Sequence, residues 1–233
     1  MKKTGIALFA IIVLCSFNFL TDPCSSIVFF KEGTMTTMTS YNDDGKITGS
    51  TKTTYSKVTK AISGATVTAN QENYDKKGKL SNKSEFSIRC NKGILYFDMK
   101  MMMPQQQAEA YKDFEMTVEG ADKEIPSEFV IGSSLKDADI KFTFKSKDGA
   151  EMPMMKMNIK ITNRKIEAKE SVTCPAGTFE CYKISEDVEM KSIFTVIAKS
   201  INWFSQEVGN VKVESYKENG KFVSKSELTE IKK

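Results

Sequence analysis

Leu95-Tyr96-Phe97-Asp98-Met99-Lys100-Met101 alternates apolar and polar residues: Leu95, Phe97, Met99 and Met101 share one side, and Tyr96, Asp98 and Lys100 the other. A helix would scatter those apolar residues around its circumference; a strand, with its period of two, stacks them on one face. The spacing predicts a strand running on through Met103. Outward along the chain the pattern recurs. Lys141-Phe142-Thr143-Phe144-Lys145 buries Phe142 and Phe144, and Met155-Lys156-Met157-Asn158-Ile159-Lys160-Ile161 sets Met155, Met157 and Ile159 against lysines. Such segments are half-buried antiparallel strands, dry on one side and wet on the other. The threonine-rich runs 34–41 and 48–59 have strand propensity but little apolar content. They are expected at an edge or on a thinly covered face.

Turn chemistry agrees. Tyr41-Asn42-Asp43-Asp44-Gly45-Lys46, Tyr74-Asp75-Lys76-Lys77-Gly78-Lys79 and Tyr216-Lys217-Glu218-Asn219-Gly220-Lys221 share the form Tyr-x-x-x-Gly-Lys, and Lys147-Asp148-Gly149 is a looser version. Glycine supplies the positive φ of a tight hairpin, so each is read as a strand reversal. Their uneven spacing argues against a solenoid or propeller. Pro104 followed by Gln105 to Lys112 is expected to form one short helix, with proline at its first position. The run 192–204 is read as strand. The sum is a mainly β chain: ten or so strands in meander order, forming a curved antiparallel sheet over one core. A sheet that long must close, pair or wrap around something.

Lys2 and Lys3 precede a nearly unbroken apolar run from Ile6 to Leu20, the form of an export signal and short for a membrane span. Residues 1–23 are expected to be a signal peptide and 24–233 one antiparallel β domain, with no transmembrane segment in the mature chain. Cys15 follows Leu14, where a lipoprotein signal wants a small residue. The formal charge of +4 falls to +2 without Lys2 and Lys3 (4 − 2), and lysines and acids are interspersed. That pattern lacks the concentrated basic face that nucleic-acid binding needs. The expected location is secreted or periplasmic.

Cys24, Cys90, Cys174 and Cys181 remain after processing, an even number suggestive of disulfides in an exported chain. Cys174 and Cys181 bracket a Pro-Ala-Gly loop suited to closure as a hairpin, which would leave Cys24 with Cys90; three connectivities stay open.

The chain has no histidine, which removes Ser-His and Cys-His nucleophile pairs and nearly every catalytic zinc arrangement. Phosphate-cradling and dinucleotide motifs are missing too. Acidic pairs such as Asp43-Asp44 and Glu186-Asp187 are read as turn or surface polarity. The expectation is a protein that is not an enzyme and has no cofactor or metal. Of thirteen methionines, eight cluster at 99–103 and 152–157. They are read as pliable lining for an apolar ligand or as plain core, with copper binding a remote alternative. The candidate apolar concavity is lined by Leu95, Phe97, Met99, Met101, Met103, Phe142, Phe144, Met155, Met157 and Ile159.

Val172-Thr173-Cys174-Pro175-Ala176-Gly177-Thr178-Phe179-Glu180-Cys181-Tyr182, then Trp203-Phe204 and Val208-Gly209-Asn210-Val211-Lys212, resembles a signature of the TapB-like family of secreted bacterial proteins. That family is similar to one known only as a domain of unknown function. The resemblance implies a half-barrel like that of the lipoprotein localisation factors, which hold acyl chains in a concave face, and brings no catalytic residues. Phe179 and Trp203 are expected as large anchors under the sheet. The function expected is non-enzymatic binding of a hydrophobic or lipid-like ligand. The alternative is a structural or partner-binding envelope protein with a self-filled core.

Overall fold

The computed structural model describes residues 27–61, 63–102, 115–120, 122–145 and 151–233, with the backbone alone for 151–155. The expected signal segment, Cys24, Met103, the helix at 104–112 and the Lys147-Asp148-Gly149 turn lie outside the described residues, as do the side chains of Met152, Met154 and Met155.

The strands are β1 Met35–Asn42, β2 Ile47–Ala61, β3 Gly64–Asp75, β4 Leu80–Asn91, β5 Ile94–Phe97, β6 Glu115–Gly120, β7 Lys123–Pro126, β8 Ala138–Lys145, β9 Glu151–Cys174, β10 Gly177–Lys191, β11 Thr195–Ser205, β12 Gly209–Lys217 and β13 Phe222–Lys232. All belong to one antiparallel sheet in the order β6-β8-β9-β10-β11-β12-β13-β1-β2-β3-β4-β5-β7. The chain is mainly β, as its alternation predicts. Two meanders, β1–β5 and β8–β13, are joined by the pairing of β1 with β13. The threonine-rich β1 and β2 are therefore central, not at an edge. Their burial is mostly partial, the sign of a thinly covered face.

The three Tyr-x-x-x-Gly-Lys segments each make the same turn. In the first, Gly45 N–H donates to Asn42 O, Asn42 N–H donates to Lys46 O, and Gly45 has φ +76°. The others repeat it at Asp75 to Lys79 and Lys217 to Lys221. A bulge precedes each glycine, so this is a type I turn closed by a glycine in the left-handed region. Elsewhere, Lys57 and Asn163 take positive φ where the ladders of β2 and β9 slip register. Bulges of this kind bend a strand.

Bending brings the sheet's ends together. Gly120, the last residue of β6, pairs with Ile140 at one edge, while Lys123 of β7 pairs with Phe97 at the other. Three residues of chain span at most about 11 Å. The sheet is thus rolled until its edges nearly meet, yet among the described residues no ladder joins β6 to β7. One end of the roll is plugged by a 3-10 turn, Val28–Phe30, whose residues are all buried. Phe29 packs on Tyr55 (centroids 5.0 Å apart) and Phe97 (6.3 Å).

The opening heptad departs from its predicted form. The strand stops at Phe97, and Met99–Met102 form a 3-10 turn. Asp98 breaks it: its carboxylate accepts the Lys100 N–H at 3.0 Å and its carbonyl the Met101 N–H at 3.2 Å, a local bond that competes with the ladder. Of the segment 192–204 read as strand, 195–204 lies within β11, while 192–194 form the bend that joins it to β10.

Candidate ligand-binding cavity

The concave side of the sheet encloses a cavity of about 420 Å³. Its floor is apolar and buried: Phe29, Phe86, Ile88, Phe97, Met99, Ile125, Ile184, Phe204, Val208 and Leu228. Most arrive by strand alternation from β4, β5, β7, β10, β11 and β13 or from the plug; Met99 comes from the 3-10 turn after β5 and Val208 from the turn between β11 and β12. Tyr55 stands among them, and its burial pushes the phenol up to about 12 against the opposing hydrogen bond from Thr36. Above the floor the wall becomes polar, with Thr51, Gln71, Ser200 and Ser215 only half-buried and Lys199 exposed. Burial at the plugged end and exposure at the other place the mouth beside the hairpin tips of β1–β2, β3–β4, β10–β11 and β12–β13. Pockets of 300–1,000 Å³ with an apolar lining and few polar groups are the usual form of small-molecule sites.

A charged cluster lines the cavity. Lys123 Nζ lies 2.7 Å from Glu186 Oε1, and Arg164 Nε donates to Glu186 Oε2 at 3.4 Å. Arg164 also donates through Nη1 to the carbonyl of Lys136 and through Nη2 to that of Glu124. These bonds lash the β7 edge to β9 and β10 across the open seam. Burial raises the Glu186 carboxyl, but the charge and hydrogen bond of Lys123, with Arg164 beside it, outweigh that and hold it below the ordinary carboxylate range. Burial lowers Arg164, and Glu186 opposes the shift. The sequence reading of Glu186 as surface polarity is corrected here: its side chain is 4% exposed. Alternation carries it inward between Ile184 and Val188.

The sequence-predicted concavity divides. Phe97, Met99 and Met101 line the cavity, while Leu95 lines a second hollow of about 360 Å³ at the plugged end. Phe142, Phe144, Met157 and Ile159 instead pack with Ile140, Ile161 and Met99 as a separate buried cluster beneath β8 and β9. Met99 Sδ accepts the Lys123 N–H at 3.0 Å, so it bridges the two regions. Sequence reasoning missed Lys123, Arg164 and Glu186, because isolated charges in strands look like solvated positions until the opposite edge is folded against them.

The expected Cys174–Cys181 disulfide is also corrected, since both are free thiols. The turn is tighter than the six residues between the two cysteines suggested. Gly177 already pairs with Cys174, and Cys181 faces Glu170. Cys181 is thus four residues up the strand, roughly 13 Å at the usual rise and beyond bonding reach. Cys90 is buried in the main core; its proposed partner Cys24 lies outside the described residues. Trp203 is buried, with its indole N–H on Glu170 and Lys212 Nζ 3.7 Å from its ring centroid, whereas Phe179 is only partly buried.

Solved structures share the architecture. A protein from Bacteroides fragilis assigned as exported, with a YmcC-like fold, aligns at TM-score 0.72 and 23% identity, covering 87% of this chain and 97% of its own. One from Parabacteroides distasonis assigned as a lipoprotein aligns at 0.71 and 23%, covering 88% and 99%. At that identity the likeness establishes the fold alone. A family model described as DUF3108-like matches residues 31–228. No curated protein matches in sequence.

Proposed function

The chain belongs to the DUF3108-like family, and from that premise and the geometry we propose that it is a non-catalytic binding protein of the cell envelope, holding an apolar or lipid-like ligand in the concave face of its sheet. The observation that carries this reading is the cavity of about 420 Å³, with a buried aromatic floor and a half-open polar mouth. Tightly packed cores leave few voids larger than a water molecule. Among the described residues no helix is long and apolar enough to cross a membrane, and the two structural relatives assigned as exported and as a lipoprotein support placement outside the cytosol. The non-catalytic part rests on Glu186, the buried acid of the cavity, which two cations hold in its ionised form. The TapB-like affinity is part of the same proposal, carried by the Cys174 to Tyr182 signature; failure of TapB-like sequences to align across it would remove it.

Uptake of the neutral dye N-phenyl-1-naphthylamine tests the binding reading. The wild type should enhance its fluorescence, and Ser215→Trp, which fills the mouth, should abolish the enhancement. A folded wild type that takes up no dye refutes it. That result would favour the second reading, an envelope structural protein with a self-filled core, for which the packed cluster around Phe142 and Ile159 is the specific observation.

A further inference from the structure

We propose that the cavity takes a single-chain anionic amphiphile, its carboxylate or phosphate at Lys123 and its chain on the apolar floor. This rests on the binding reading above, which specifies no headgroup. The charged residues lining the cavity are Lys123, Arg164, Lys199 and Glu186, a net charge of +2 (3 − 1). Arg164 is fully engaged: its side chain is 0% exposed, Nε meets Glu186, and its two terminal nitrogens meet carbonyls. Glu124 and the exposed Asp137 also act on Arg164, but Glu124 is paired with Lys136 at the surface, 2.7 Å away. Neither neutralises Lys123. An ammonium carries three protons, and Lys123 gives one to Glu186. A 14% exposed cation with donors to spare, above a dry floor, favours an anion, because charge-assisted hydrogen bonds are strong where water is scarce. The cavity lies toward the small end of ligand sites, which fits one chain rather than two.

Titration with cis-parinaric acid and its methyl ester tests this. The acid should bind the wild type at least about tenfold more tightly than the ester, and in Lys123→Met the ratio should fall to about one. Competition by oleate against oleoyl lysophosphatidate then tells carboxylate from phosphate. Equal binding of acid and ester by the wild type overturns the headgroup site while leaving the binding reading intact; binding of neither overturns both. The wild-type comparison stands even should the variant fail to fold.

Independently of what the cavity holds, the open end carries a basic, apolar rim, and we infer that it docks on an anionic lipid bilayer. Ile193 and Phe194 are 62% and 75% exposed at the β10–β11 tip, joined by Ile47, Leu80 and Val223 on neighbouring tips. Segments 42–47, 75–80, 191–197 and 217–223 hold seven lysines and four acids, net +3 (7 − 4). Lysines beside protruding apolar side chains suit an interface of negative headgroups over hydrocarbon. Co-sedimentation with 1:1 phosphatidylglycerol–phosphatidylcholine vesicles should show binding that pure phosphatidylcholine lacks and that Ile193→Ser/Phe194→Ser weakens at least about tenfold. Equal behaviour of the two vesicle types, an unaffected variant, or a dimer that the variant dissolves would overturn it.

Discussion

Removing Glu186 should cost the protein a large share of its stability. Glu186→Ala deletes the carboxylate that faces Lys123 Nζ at 2.7 Å and Arg164 Nε at 3.4 Å. Arg164, 0% exposed, cannot turn to water and keeps only its two carbonyl acceptors. Breaking a buried pair by deleting one member costs about 3–5 kcal/mol, because the remaining charge is uncompensated. Against a total of roughly 5–15 kcal/mol that is decisive. Urea unfolding at pH 7 should show a lower midpoint with unchanged slope, and heating a midpoint lower by roughly 6–20 °C. The pH dependence gives a second check. The folded-state pKa of Glu186 is depressed, so its contribution is complete above the ordinary carboxylate range and lost as pH falls through the folded value. Wild type and variant should therefore differ fully at neutral pH and converge in acid. A difference under about 1 kcal/mol at pH 7, or one that persists in acid, would refute the reasoning.

Phe142→Ala should cost about 3–5 kcal/mol, since Phe142 is fully buried, yet leave dye uptake intact because it belongs to the separate cluster. Gly209→Ala places a Cβ 2.2 Å from the Phe29 ring at φ +80° and should cost about 2–5 kcal/mol by dislodging the plug. Gly45→Ala, with nothing within 4 Å, should cost only about 1–2 kcal/mol for its positive φ; urea midpoints compare them. Burial, aided by Cys174, pushes the Cys181 thiol up to about 12, so at pH 8 only about one molecule in ten thousand is thiolate. Iodoacetamide followed by peptide mass spectrometry should find Cys181 unmodified under native conditions; rapid labelling would contradict its burial.

Local chemistry was legible in the sequence. The Tyr-x-x-x-Gly-Lys hairpins could be read because glycine alone adopts their positive φ cheaply, and the strands around Phe142 and Met157 because alternation has one meaning in a half-buried sheet. Non-local geometry was not. Nothing near Met35 or Phe222 announces that β1 and β13 will pair, which is why threonine-rich strands that look like edges lie in the middle. Asp98 ended a promising strand through one side-chain bond, and two prolyl-turn residues, Pro175 and Ala176, shortened a hairpin enough to part Cys174 from Cys181. The cavity was half visible: Phe97, Met99 and Met101 could be picked by face. The charges at Lys123, Arg164 and Glu186 became a cluster only when the sheet's far edges met.

Everything functional rests on the concave space being available to a guest. Organic extraction and mass spectrometry of protein purified without detergent from its native source measure this most directly. The account predicts a co-extracted amphiphile approaching one per chain, absent from Ser215→Trp prepared in parallel. A folded wild type that yields no such compound, and takes up no hydrophobic dye afterwards, would contradict it.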